Sequence, residues 1–106
     1  MAKPDTRRID RELRLLERKL DAVRTRETWP LNRRERSAVM GALASGSYRI
    51  VRGNSPSRAE TRLDTAWQSA ETRLVAEIAA LKAARVQIVA QAAAENAARK
   101  STSRWW

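Results

Sequence analysis

The chain has 106 residues and carries 22 Lys+Arg against 12 Asp+Glu, a formal charge of +10. It holds no cysteine and no histidine, which excludes disulfide scaffolds, thiolate metal sites and catalysis by imidazole or thiolate. This length suits one helical domain over residues 1–106, and the charge suits a polyanion or an acidic partner.

Arginine outnumbers lysine and alanine is abundant, so compositional drift in a GC-rich genome is a second source of that charge. The stretch MAKPDTRRID is basic, but no apolar segment follows it. No run approaches the roughly 20 apolar residues of a membrane span. A cytoplasmic protein with no membrane partner is expected.

Ile9, Leu13, Leu16, Leu20 and Val23 recur at spacings of four, three, four and three. That heptad seam predicts a first helix over about 5–27, with charges on its other faces. Pro30 disfavours helical backbone at Trp29 and ends it. Trp29 and Trp67 are assigned to the core. Asn32 and Glu35 have capping-box spacing and open a shorter helix over about 33–45. Its inward side takes Val39, Ala42 and Leu43, and Gly46 closes it.

The next stretch, SYRIVRGNSPSR, reads differently. Tyr48 and Ile50 alternate with Arg49 and Val51, and Gly53-Asn54 breaks the run, which predicts a basic extended turn over 47–57. Ser57 and Glu60 then form a second capping box and start a helix over about 58–100. Nothing interrupts that helix, and thirteen alanines lie between Ala66 and Ala98. Its stripe runs Leu63, Trp67, Ala70, Leu74, Ile78, Leu81, Arg85, Ile88 and Ala92, with a stutter at Ile78. The fold class expected is all-α, a helical hairpin or coiled-coil-like bundle of two long helices with a short middle helix and the basic turn.

The two long helices differ in length, roughly 60 Å against roughly 33 Å. If the first folds back along the early part of the last, Leu81, Val86, Ile88 and Val89 lack a long partner in the chain and form a protein-interaction stripe. A second copy, giving a homo-oligomer, or a helical protein partner would cover it. The alternative is that the long helix bends or that the middle helix covers the stripe. At the tail, 101–106, Trp105 and Trp106 read either as a docking peptide or as aromatics folded back onto the bundle.

Chemistry is sparse. No GxxxxGK[ST] loop and no calcium-loop pattern occur, so no catalytic residue, cofactor, metal or small-molecule substrate is expected. Between 33 and 58 stand Arg33, Arg34, Arg36, Arg49, Arg52 and Arg58 against the single acid Glu35, a local charge of +5. Arginine's planar fork suits phosphate, the start of the middle helix adds free N–H groups, and Tyr48 could stack on a base.

Arg7, Arg8 and Arg11 would add contacts. The spacing of helices does not fit a helix-turn-helix, so phosphate-dominated binding to DNA or RNA is expected rather than sequence readout. The other reading of the turn is a connector, with Tyr48, Ile50 and Val51 plugging the bundle and the arginines in water. Two functions follow: a small nucleic-acid-associated protein, or a helical adaptor or assembly protein of the kind a phage or mobile element carries. The adaptor would use the long helix and the Trp tail.

Overall fold

A computed structural model describes residues 4–51 and 57–103. These form three helices, α1 (Arg7–Arg24), α2 (Arg33–Val51) and α3 (Ser57–Ser103), and no strand occurs among the described residues. The all-α class is as the periodicity predicts.

At 47 residues α3 is about 70 Å long, and it is the spine on which the other two helices pack. Glu35, sixteen residues before the end of α2, meets Arg73, sixteen residues after the start of α3, so these two are antiparallel. Arg24 meets Glu71 and Asp10 meets Arg85, an equal offset of fourteen residues, so α1 is antiparallel to α3 as well. Both short helices therefore point the same way and lie one after the other along α3. Among the described residues they do not pack on each other. The result is a rod of 85 × 18 × 18 Å, two helices thick.

This arrangement corrects one expectation. The early part of α3 is covered by α2, and α1 lies further along, beside residues 71–85. The core runs as a line down the contact: Leu13, Leu20 and Val23 from α1, Leu31 from the turn, Val39 from α2, and Ala66, Trp67, Ala70, Leu74 and Ile78 from α3. Ile9, Leu16, Leu63 and Leu81 pack against its edge. The heptad seam of α1 and the stripe of α3 thus meet as their spacing implies. Ala70 and Leu74 are fully enclosed, because they sit where the coverage by α1 and α2 overlaps.

Three local expectations change. Residues 47–51 continue α2 as helix, whereas the alternation suggests an extended turn. Two alternating pairs without a partner strand leave backbone N–H and C=O groups unpaired, while continuing the helix pairs them internally. Gly46 in a helix interior costs only about 1 kcal/mol relative to alanine, too little to stop it. The remainder of the expected turn, 52–56, lies outside the described residues. Trp29 is 52% exposed and Leu43 is 48% exposed, so neither belongs to the core. A tight turn, in which the Leu31 N–H donates to the Thr28 carbonyl, carries Trp29 outward and puts Leu31 in the interior place. Val39 and Ala42 already face α3, and Leu43 is a further turn of about 100° round the helix.

The exit from α1 is a Schellman cap. The Glu27 N–H donates to the Ala22 carbonyl at 2.8 Å and the Arg26 N–H to the Val23 carbonyl at 2.9 Å. The cap requires a left-handed residue, and Arg26 supplies it with φ of 65°. An arginine there costs about 1–2 kcal/mol that glycine avoids. Its side chain offsets this by lying over the Trp67 ring, 5.4 Å from Cζ to centroid, and reaching Asp64 at 3.2 Å. Arg26→Ala and Arg26→Gly both remove these side-chain interactions, but only glycine relieves the backbone. Thermal unfolding should place Arg26→Gly above Arg26→Ala by about 1 kcal/mol. The opposite order would mean that the φ at Arg26 carries no strain.

Candidate nucleic-acid interface

The capping box of α2 forms as its sequence predicts. Asn32 Oδ1 accepts from the Glu35 N–H at 2.8 Å, and Glu35 Oε1 accepts from the Asn32 N–H at 3.0 Å. Glu35 then does a second job. Its carboxylate is gripped by the Arg73 fork, with Nε to Oε2 at 2.6 Å and Nη2 to Oε1 at 2.9 Å. The same guanidinium donates to the Pro30 carbonyl at 3.3 Å and to Glu77 at 3.2 Å. One side chain of α3 thereby holds the turn after α1 and the first turn of α2.

The Arg73 fork, aided by the Asn32 N–H, holds the buried Glu35 carboxyl below the ordinary value of 4.5 despite its desolvation, and Glu35 in turn raises Arg73. Asp10 is also held low, first by the Thr6 hydroxyl and then by Arg85.

Charge divides into two populations. On α2 and the first half of α3, the carboxylates Glu35, Asp64, Glu71 and Glu77 are each held by an arginine within the fold. Arg33, Arg34, Arg36, Arg58 and Arg62 are exposed and have no ion-pair partner among the described residues; Glu60 is the one unpaired acid beside them. Of the residues expected to contact phosphate, Arg33, Arg34, Arg36 and Arg58 are therefore free at the surface. Tyr48 and Arg49 lie on the last turns of α2, their side chains outside the described residues, as is Arg52.

The helices separate the arginines by face. Arg33 and Arg36 flank Leu31 and Met40, whereas Arg34 turns to the other side of α2. There it borders an open trough of about 840 Å³ between α2 and α3, with Arg62 and Arg73 on the opposite wall. Sequence reasoning missed Arg62 and Arg73. Each faces residues of a different helix, far away along the chain, and the signal that could have found the trough is the set of small residues Ala38, Gly41, Ala42 and Ala66 that leave it open.

A second basic face lies on α1. Arg7, Arg11, Arg14 and Arg18 are spaced four, three and four, all exposed and opposite the buried seam. Arg7 and Arg8 pair with Asp5 and Glu12 at the surface, contacts of little energetic weight.

Of the residues expected to meet a protein partner, Leu81 is partly buried against the core beside Leu16, and Ile88 is partly buried. Val86 and Val89 are 66% and 39% exposed just past Arg85, the last position of α3 that is ion-paired to α1. Trp105 and Trp106 lie outside the described residues. Among the described residues no helix is long and apolar enough to cross a membrane, and no group of three metal-ligating side chains occurs.

Comparison of the chain with protein-family models, with curated proteins and with solved structures gives no match.

Removing one partner of the central ion pair should cost about 2 kcal/mol, less than a fully buried pair because Arg73 keeps Glu77 and some water. Arg73→Lys should fall close to Arg73→Ala in chemical denaturation, since a lysine cannot span two Glu35 oxygens and Pro30 together. Glu35 has a lowered folded pKa, so its contribution is present above the ordinary value of 4.5 and is lost as pH falls through the folded value. Glu35→Gln should therefore lose less stability than the wild type on acidification below 4.5.

Proposed function

We propose that this chain is a small, non-enzymatic helical protein that associates with nucleic acid through phosphate contacts. The observation that carries the reading is the division of charge. Four acids of α2 and the first half of α3 are paired to arginines, and among the described residues five arginines there are left free in water against one free acid. Pairing in this half engages four acids but only one of its own arginines, Arg73, because Arg24 and Arg26 reach in from α1 and the turn after it, so the surplus base is concentrated on α2 and α3. Free guanidinium forks match phosphate oxygens by planar, bidentate contacts, and a polynucleotide supplies phosphates in series. The geometry offers no recognition helix after a tight turn, so contacts to backbone rather than to base edges are favoured.

The test is binding of the purified chain to labelled duplex DNA and to single-stranded RNA over a salt series. Binding should persist at physiological salt and weaken linearly in log-log form. Replacing Arg33, Arg34 and Arg36 by Ala should reduce the slope by up to about 2–3, close to one for each phosphate no longer neutralised. Binding that vanishes by physiological salt, or a slope that is unchanged in the variant, would sink the reading or its assignment to α2.

A second reading, a helical adaptor or self-associating assembly protein, draws support from the end of α3. Eighteen residues follow Arg85, the last position of α3 paired to α1, and Val86 there is 66% exposed. Val86→Lys with Val89→Lys should lower the sedimenting mass of any oligomer while leaving helicity intact. An unchanged mass would remove this stripe as the contact.

A further inference from the structure

The trough between α2 and α3 is more than a gap beside the core. Along its middle the α2 side is Ala38, Gly41 and Ala42 and the α3 side is Ala66 and Ser69, side chains too short to fill it. A Cβ built on Gly41 meets nothing within 4 Å, which shows how open the wall is at that point. Along α3 the trough runs from Arg62 to Arg73, eleven residues or about 17 Å. Three arginines line it, Arg34, Arg62 and Arg73, against the single acid Glu35. Arg73 is committed to Glu35 and Glu77, whereas Arg34 and Arg62 are free among the described residues. Ser37 and Ser69 add hydroxyls with no partner among the described residues, while the Thr65 hydroxyl already donates to the Thr61 carbonyl.

We infer that this trough holds one strand of a polynucleotide lengthwise by its phosphates, with Arg34 and Arg62 as the charged contacts and Ser37 and Ser69 as hydrogen-bond donors. The inference rests on the nucleic-acid reading above and narrows it to a site and a strand state. About 840 Å³ spread over about 17 Å of length gives a mean cross-section of about 50 Å², room for a single backbone and not for a duplex. Among the described residues no aromatic lines it, so its described walls offer bases no stacking platform. Recognition is then of backbone alone and tolerant of sequence.

Gly41 lines the trough, so a longer side chain there narrows it without touching charge. Leucine is a better helix former than glycine, so Gly41→Leu should keep α2 helical while adding bulk on the trough wall. The control is Gly41→Ala, which adds only a Cβ. A third variant, Arg34→Ala with Arg62→Ala, leaves packing alone because both side chains are exposed.

The experiment measures fluorescence anisotropy of a labelled oligothymidylate of about 15 nucleotides, a labelled duplex of equal length and a labelled polyglutamate peptide, each titrated with the full chain at several salt concentrations. Expected is tighter binding of the single strand than of the duplex, at least a roughly tenfold drop in affinity for Gly41→Leu, retention in Gly41→Ala, and a slope lower by about 1.4 in the double arginine variant, two phosphates at about 0.7 each. Circular dichroism checks that each variant is as helical as the wild type.

If the wild type binds the oligonucleotide and Gly41→Leu binds it equally, the trough assignment is overturned and the contact passes to arginines outside it, Arg33 and Arg36 or Arg7, Arg11, Arg14 and Arg18 of α1. If polyglutamate binds more tightly than oligothymidylate and Gly41→Leu blocks it, the trough takes an acidic peptide and the strand proposal fails. If the wild type binds neither nucleic acid, the functional reading itself fails.

Discussion

The grip of Arg73 on Glu35 is the contact on which the geometry depends. Among the described residues α1 and α2 do not pack on each other, so apart from the turn that joins them their relative placement is set from α3. Arg73 sets it from the spine, holding the carbonyl of Pro30 in the turn and the carboxylate of Glu35 in the first turn of α2. Because Glu35 also closes the capping box, the start of α2 and its docking on α3 are one structure. A side chain with a rigid fork is needed for this, since the acceptors lie in different directions around it.

The same joint explains why the surface is as basic as it is. Internal pairing uses up carboxylates along the α3 contacts, through Arg24, Arg26, Arg73 and Arg85, each crossing from one helix or turn to another. What is left outside is a surplus of arginine. The fold therefore sharpens a net charge that composition spreads over the chain, and it does so on the side of the rod where α2 and α3 leave open space. Free guanidinium groups and unfilled volume coincide there, and again in the smaller hollow that Arg33, Arg36 and Ser37 border on the other face of α2.

Much of the architecture is legible in the sequence. The seam Leu13, Leu20 and Val23 is buried because its spacing allows one face only, and the α3 stripe through Leu74 and Ile78 follows for the same reason. Asn32 and Glu35 announce a cap that forms with both of its hydrogen bonds. Other features cannot be read, for physical reasons. Periodicity tells which face of a helix turns inward, but not where along a uniform 47-residue helix a shorter one will dock, so α1 sits further along the spine than its length alone suggests. Trp29 reads as core because large aromatics favour burial, yet the tight turn at Thr28 to Leu31 leaves room inside for one residue, and Leu31 takes it. The residues 47–51 alternate like a strand, but no second strand among the described residues pairs with them, and the backbone settles for helix. Arg73 gives no local sign of its role, since its acceptors lie 38 and 43 positions away.

The tandem placement of α1 and α2 has a consequence for cooperativity. Each short helix shares an interface with α3 and none with the other, so stability is built from nearest-neighbour terms along a line, as in repeat proteins. Opening of α2 exposes the first part of the spine and leaves the seam of α1 on the next part intact. The two segments thus constitute separate opening units whose coupling passes through the few residues of α3 where coverage overlaps, Ala70 to Leu74. A rod of this kind can loosen at one end without melting at the other.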